Sequence, residues 1–178
     1  MSITKAGDIP TIVNCMGAHR VHDGVQEQGC RVLANLASNA ANKVLLAVLG
    51  GIAVIVSGME AHRAHAGIQE KGCRALCALS TNHDGIRQAI AKAGGIAAIV
   101  NGMLAHHDRV AVQKRGCLTL YNLSLNPKVA LLIEAGGGVH LLVLICERCA
   151  RQDSKSLHAR NRDSRSPHGR PRGYRQWM

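Results

Sequence analysis

The sequence predicts an all-α solenoid built from short helices in repeated units of three. Three observations carry that expectation. Blocks come into register through Gly7, Gly50 and Gly94, which are 43 and 44 residues apart. Apolar positions inside each block follow helical spacing. The composition is 47% hydrophobic but only 2% aromatic, with no Phe. Self-similarity at such a period marks stacked repeats, each burying a face on its neighbours. A core restricted to Ala, Val, Ile, Leu, Met and Cys suits helices whose axes approach closely.

Each block contributes the same columns. They include Ile9/Ile52/Ile96, Ile12/Ile55/Ile99, Met16/Met59/Met103, His19/His62/His106, Gln26/Gln69/Gln113, Gly29/Gly72/Gly116, Cys30/Cys73/Cys117, Leu33/Leu76/Leu120 and Asn39/Asn82/Asn126. Ile96, Ile99, Val100 and Met103 stand at i, i+3, i+4 and i+7, and Val112, Gly116, Leu120 and Leu123 continue the pattern in the next segment. Each set is one buried stripe of a helix. The Gly94-Gly95 pair ends a preceding short helix over Ile86 to Ala93, because glycine readily adopts the left-handed closing conformation. Every unit is therefore a short helix, a sharp turn, a second helix and a third. Second helices are expected near residues 8–18, 51–61, 95–106 and 138–149, and third helices near 25–37, 68–80 and 112–124. A partial fourth copy begins near Ala135-Gly136 and continues as Val139, Leu142, Val143 and Cys146.

Three helices per unit, a Gly-Gly-Ile start to the second and a third ending in Ala-Asn-Leu-Ala (34–37) or Tyr-Asn-Leu-Ser (121–124) resemble the armadillo repeat family. The likeness covers residues 5 to about 149. HEAT repeats are the nearest rival, but their units usually have two helices and lack the Gly-Gly break. The resemblance implies a right-handed α-solenoid over residues 1–150, while composition alone marks residues 151–178 as a disordered basic tail. It also implies a non-enzymatic scaffold that holds an extended peptide in a concave groove lined by the third helices.

On those helices the positions away from the apolar stripe are Glu27, Gln28, Arg31 and Asn35, then Glu70, Lys71, Arg74 and Ala78, then Lys114, Arg115, Leu118 and Asn122. Asn35 and Asn122 match the family's groove asparagine, which in importin-like members bonds the backbone of a bound peptide; Ala78 breaks the row. Importin-like members place Trp four residues earlier, where this chain has Arg31, Arg74 and Leu118. Arg31, Lys71, Arg74, Lys114 and Arg115 thus form a cationic ladder that should repel basic cargo and favour an acidic partner segment, as in catenin-like relatives. The plainer alternative is that these are ordinary solvated residues on an exposed face.

Other groupings point to core or solvent. Cys30, Cys73 and Cys117 recur at the spacing of packed helices, about 10 Å, too far for a disulfide or shared metal ligation, so they are expected in the core. The same spacing divides His19, His62 and His106, expected to bond carbonyls at the C-termini of their own second helices. Cys146 and Cys149 have the spacing of half a zinc site without a suitable second pair. Gly136-Gly137-Gly138 lacks the residues of a phosphate loop. No catalytic residue, metal or cofactor is expected, and no small-molecule substrate.

The formal charge is +11, and more than half of the excess lies in residues 151–178, which carry eight Lys/Arg and two Asp. This segment, rich in Arg, Ser, Gly and Pro, cannot bury a core. Its Arg162-Asp163-Ser164-Arg165-Ser166-Pro167 run resembles arginine/serine-rich segments, open to phosphorylation and to weak contact with nucleic-acid phosphates. Two alternatives to the groove reading follow: a nucleic-acid-associated protein that binds through this tail, or a truncated fragment of a longer array. No segment has the order of a signal peptide, and the longest apolar run, Val44 to Val56, is shorter than the ~20 residues of a membrane span. The expected location is cytoplasmic or nuclear, with reduced cysteines.

Overall fold

Two consecutive glycines do different work at each break between a first and a second helix. Gly50 and Gly94 lie at φ 82° and 80°, where a side chain would be strained. The next glycine is needed for space: a Cβ on Gly51 or Gly95 would come 2.8 Å from the carbonyl oxygen of Leu46 or Ile90. Together they bend the chain by 70° in both places.

The computed structural model divides the chain into two compact units, Met1–Leu142 and Val143–Met178, and describes residues 8–136, all in the first unit. The expected fourth second helix and the basic tail lie outside the described residues. Among the described residues there are nine helices and no strand: α1 (Asp8–Ala18), α2 (Asp23–Leu36), α3 (Ala40–Val48), α4 (Gly51–Ala61), α5 (Ala66–Ser80), α6 (Asp84–Lys92), α7 (Gly95–Ala105), α8 (Val110–Ser124) and α9 (Pro127–Ala135). The chain is all-helical over this span. The helices α2, α5 and α8 begin two residues before the expected starts, because the sequence reading passed over the residues that cap two of them.

Equivalent helices pack beside one another in three rows: α1 on α4 on α7, α2 on α5 on α8, and α3 on α6 on α9. The core between the rows is made by Ile55, Leu33, Leu76, Ile90, Ile99 and Leu120, each at most 1% exposed. Burying a side chain of this size contributes about 1.5–3 kcal/mol. Aromatic rings are unnecessary because Met reaches across the gap. Met16, Met59 and Met103 are buried against Gly29, Gly72 and Gly116, where even a Cβ would meet the thioether.

A buried glutamine ties each second helix to the third. Gln26 Nε2 donates to the carbonyls of Met16 (2.8 Å) and His19 (3.0 Å). Gln69 repeats this on Met59 (2.7 Å) and His62 (3.0 Å), and Gln113 on Met103 and His106, both 2.8 Å. The methionine carbonyls are among those that a helix C-terminus leaves without an intrahelical partner, while those of His19, His62 and His106 also accept from the backbone amides of His22, His65 and Arg109. The same amide also couples one repeat to the next. A Cβ on Gly58 would lie 2.5 Å from Gln26 Oε1, and one on Gly102 would lie 2.5 Å from Gln69 Oε1. At the corresponding place in α1 the residue is Cys15, and it is exposed.

Repeat length changes in one place. Asn39 caps α3 by accepting from the amides of Ala41 and Asn42, and Asn126 caps α9 by accepting from Lys128 and Val129. Asn82, which shares their column, instead takes φ 57°, and the cap passes to His83. The extra residue that lengthens the period to 44 is absorbed at this turn, and asparagine tolerates that backbone better than most residues.

Candidate binding face

Helical spacing places the expected ladder opposite the core. The stripes Gln26, Cys30, Leu33 on α2, Gln69, Cys73, Leu76 on α5 and Gln113, Gly116, Leu120 on α8 are buried. None of Arg31, Asn35, Lys71, Arg74, Lys114, Arg115 and Asn122 is buried: Arg31, Asn35 and Lys114 are exposed and the other four half-buried. Because α2, α5 and α8 stand side by side, cations recur from helix to helix.

The ladder is already cross-braced. Arg74 Nη2 donates to Asn35 Oδ1 at 2.9 Å, from α5 to α2. Lys71 Nζ pairs with Glu70 Oε1 at 3.0 Å. Asn122 Nδ2 reaches back from α8 to α5, 3.3 Å from Cys77 Sγ and 3.4 Å from Thr81 Oγ1. Asn35 and Asn122 therefore each hydrogen-bond to a neighbouring repeat, a role that sequence reading missed. The positions that carry Asn35 and Arg74 in the first interval carry Ala78 and Leu118 in the second, and Leu118 is 41% exposed. The face is cationic and hydrogen-bonded between α2 and α5, but has an apolar step between α5 and α8.

The edge at the N-termini of α2 and α5 carries imidazoles that the sequence reading did not single out. His22 Nδ1 accepts from the Val25 amide (3.4 Å) and His65 Nδ1 from the Ile68 amide (3.3 Å), each an N-cap. Arg109 holds the same place before α8 and makes no side-chain cap bond. The recurring histidines of the second helices also act differently from expectation. His62 Nε2 bonds the carbonyl of Arg20 at 2.8 Å and His106 Nε2 that of Arg63 at 2.9 Å, so each reaches the turn of the preceding repeat and not its own helix end.

Burial controls the thiols. Cys30 is pushed up to about 12 by burial, with Glu27 adding to the effect. Cys73 is also pushed up to about 12, again chiefly by burial. Cys77 is raised by burial against opposing help for its thiolate from Arg115, Thr119 and Asn122. Such thiols are poor nucleophiles, since the thiolate is the reactive form. Among the described residues, no three His, Cys, Asp or Glu are grouped to hold a metal ion. An apolar hollow of about 330 Å³ lies between α1 and α2, with Ile12, Cys15, Val25 and Val32 in its wall. A second, of about 220 Å³, lies between α8 and α9 beside Leu120, Tyr121 and Ile133.

Comparison with protein-family models, with curated proteins and with solved structures finds no match. Among the described residues, no single helix is long and apolar enough to cross a membrane.

Proposed function

We propose that the described helices form an armadillo-type right-handed α-solenoid, and that the face of α2, α5 and α8 binds an extended acidic segment of a partner protein as a scaffold without chemistry of its own. The observation that supports this reading is the recurrence of Arg31, Lys71, Arg74, Lys114 and Arg115 on three adjacent helices, none of them buried. A row of like charges on one face raises the local concentration of an oppositely charged chain and sets its register. Arg31 and Lys114, the exposed members at either side, are the primary contacts; Arg74, held by Asn35, gives a fixed charge between them.

Fluorescence anisotropy of the full chain against matched acidic, neutral and basic extended peptides, at two salt concentrations, tests the reading. Acidic peptides should bind selectively and weaken as salt screens the charges. Arg31→Glu with Lys114→Glu should abolish that selectivity. If the double reversal leaves acidic-peptide binding unchanged, the face is not the site, and the charge of residues 151–178 becomes the explanation to pursue.

A further inference from the structure

We infer that His22, His65 and His83 make three helix starts acid-sensitive, by capping α2, α5 and α6 only while their Nδ1 atoms are unprotonated. The geometry is the same three times. Nδ1 accepts a hydrogen bond from the third amide of its helix: Val25 at 3.4 Å, Ile68 at 3.3 Å and Ile86 at 3.2 Å. An imidazole nitrogen that has bound a proton has no lone pair left to accept with. It then also places a positive charge at the positive end of the helix dipole. Protonation therefore removes the cap and repels what remains.

The neighbouring charges give the protonated ring somewhere to go. The Asp23 carboxylate lies 3.9 Å from His22 Nδ1 and 3.9 Å from His65 Nε2. Glu27, also on α2, has its carboxylate against Gly67 in the first turn of α5. Arg20 and Arg63 stand in the turns beside these two caps. Around His83 the charged groups are the Asp84–Arg87 ion pair on α6 and Lys43 of α3, whose Nζ bonds the Thr81 carbonyl at 2.9 Å. At His22 and His65 an imidazolium can exchange the amide for Asp23.

The other structural histidines behave oppositely. His62 and His106 bond carbonyl oxygens through Nε2, so they act as donors, and protonation leaves those bonds intact. Acid thus loosens helix starts while sparing the links between repeats. The α8 start, with Arg109 in the capping place and no side-chain cap, has nothing to lose.

Amide hydrogen exchange on the full chain, read residue by residue by NMR at pH 7.5 and 5.5 and corrected for the intrinsic pH dependence, tests the inference. Protection at Val25, Ile68 and Ile86 should fall by about 2- to 30-fold on acidification, the factor that loss of a side-chain cap corresponds to. Val112 occupies the same position in α8 and should not change. In the triple variant His22→Asn, His65→Asn, His83→Asn, which keeps a capping oxygen that does not titrate, the pH effect should vanish. Equal changes at all four amides, or a pH effect that survives in the triple variant, overturns the inference. If that variant does not fold, the contrast with Val112 in the natural sequence still decides. The measurement needs no partner, so it stands or falls separately from the groove reading, in which α2 and α5 supply two of three helices.

Discussion

The intervals between α2 and α5 and between α5 and α8 are built from the same columns yet are held differently. In both, a glutamine amide fills the space opposite a glycine, and a second-helix histidine bonds the preceding turn. The first interval adds a surface bridge, Arg74 to Asn35. The second has Ala78 and Leu118 there, and its distinctive bond is buried: Thr119 Oγ1 donates to the Cys73 carbonyl at 2.9 Å. The glutamine–glycine seam is buried in both intervals, whereas the exposed bridge from Arg74 to Asn35 belongs to the first alone. Packing constrains the seam by shape, whereas exposed pairs contribute only about 0–1 kcal/mol and can be exchanged at little cost.

The shared seam should be the most sensitive to change. Gly58→Val and Gly102→Val each drive a side chain into a glutamine amide, and each should cost about 1–3 kcal/mol of stability or more. Urea unfolding should show similar losses for the two; a loss at only one would mean that the intervals are not equivalent inside.

A pH series separates core from face. The Cys30 and Cys73 thiols, both raised to about 12, stay protonated in the folded chain, whereas in the unfolded chain they ionise near the ordinary thiol value. The native state therefore binds more protons, and stability is complete below that ordinary value and declines as pH rises toward 12. Urea midpoints measured from pH 8 to 10.5 should fall, and replacing both residues by Ala should flatten the fall.

Thr119→Val keeps the shape but deletes the buried bond to Cys73, and a loss of about 1 kcal/mol is expected in equilibrium unfolding. The smallest effect belongs to the first interval. A double-mutant cycle of Asn35→Ala and Arg74→Ala should give a coupling of at most about 1 kcal/mol, since the bond is exposed to competing water. A coupling well above that range would make the bridge a structural element and weaken the case for Arg74 as a ligand contact.

Much of the helical order was legible because periodicity and paired glycines report directly on backbone and burial. Gly50-Gly51 and Gly94-Gly95 marked their breaks correctly, and the stripe from Ile96 to Met103 marked α7. The roles of polar columns were not legible, since a column shows that a residue type recurs and not which atom it reaches. Gln26, Gln69 and Gln113 aligned perfectly, yet nothing in their spacing revealed that they bond helix-end carbonyls ten and seven residues earlier. His22 and His65 escaped notice because histidine is not among the usual capping residues. The Asn39/Asn82/Asn126 column gave no sign that one member differs, because the turn at Asn82 absorbs one added residue and hands its cap to His83. On the candidate face, spacing placed the seven residues away from the core but gave no sign that Asn35 and Asn122 brace neighbouring helices.

The glutamine seam also decides how such a chain can be cut and rejoined. Gln26 and the glycine that admits it, Gly58, fall on opposite sides of the break at residues 37–39, between α2 and α3, where one unit ends and the next begins. A module excised at that break carries a key without its lock. Cys15 shows the consequence at α1, where the admitting glycine is missing, so a copy of the first unit inserted behind another glutamine would meet a side chain in the space the amide needs. The transferable cassette therefore begins and ends within the second helix, between the methionine and the glycine it follows.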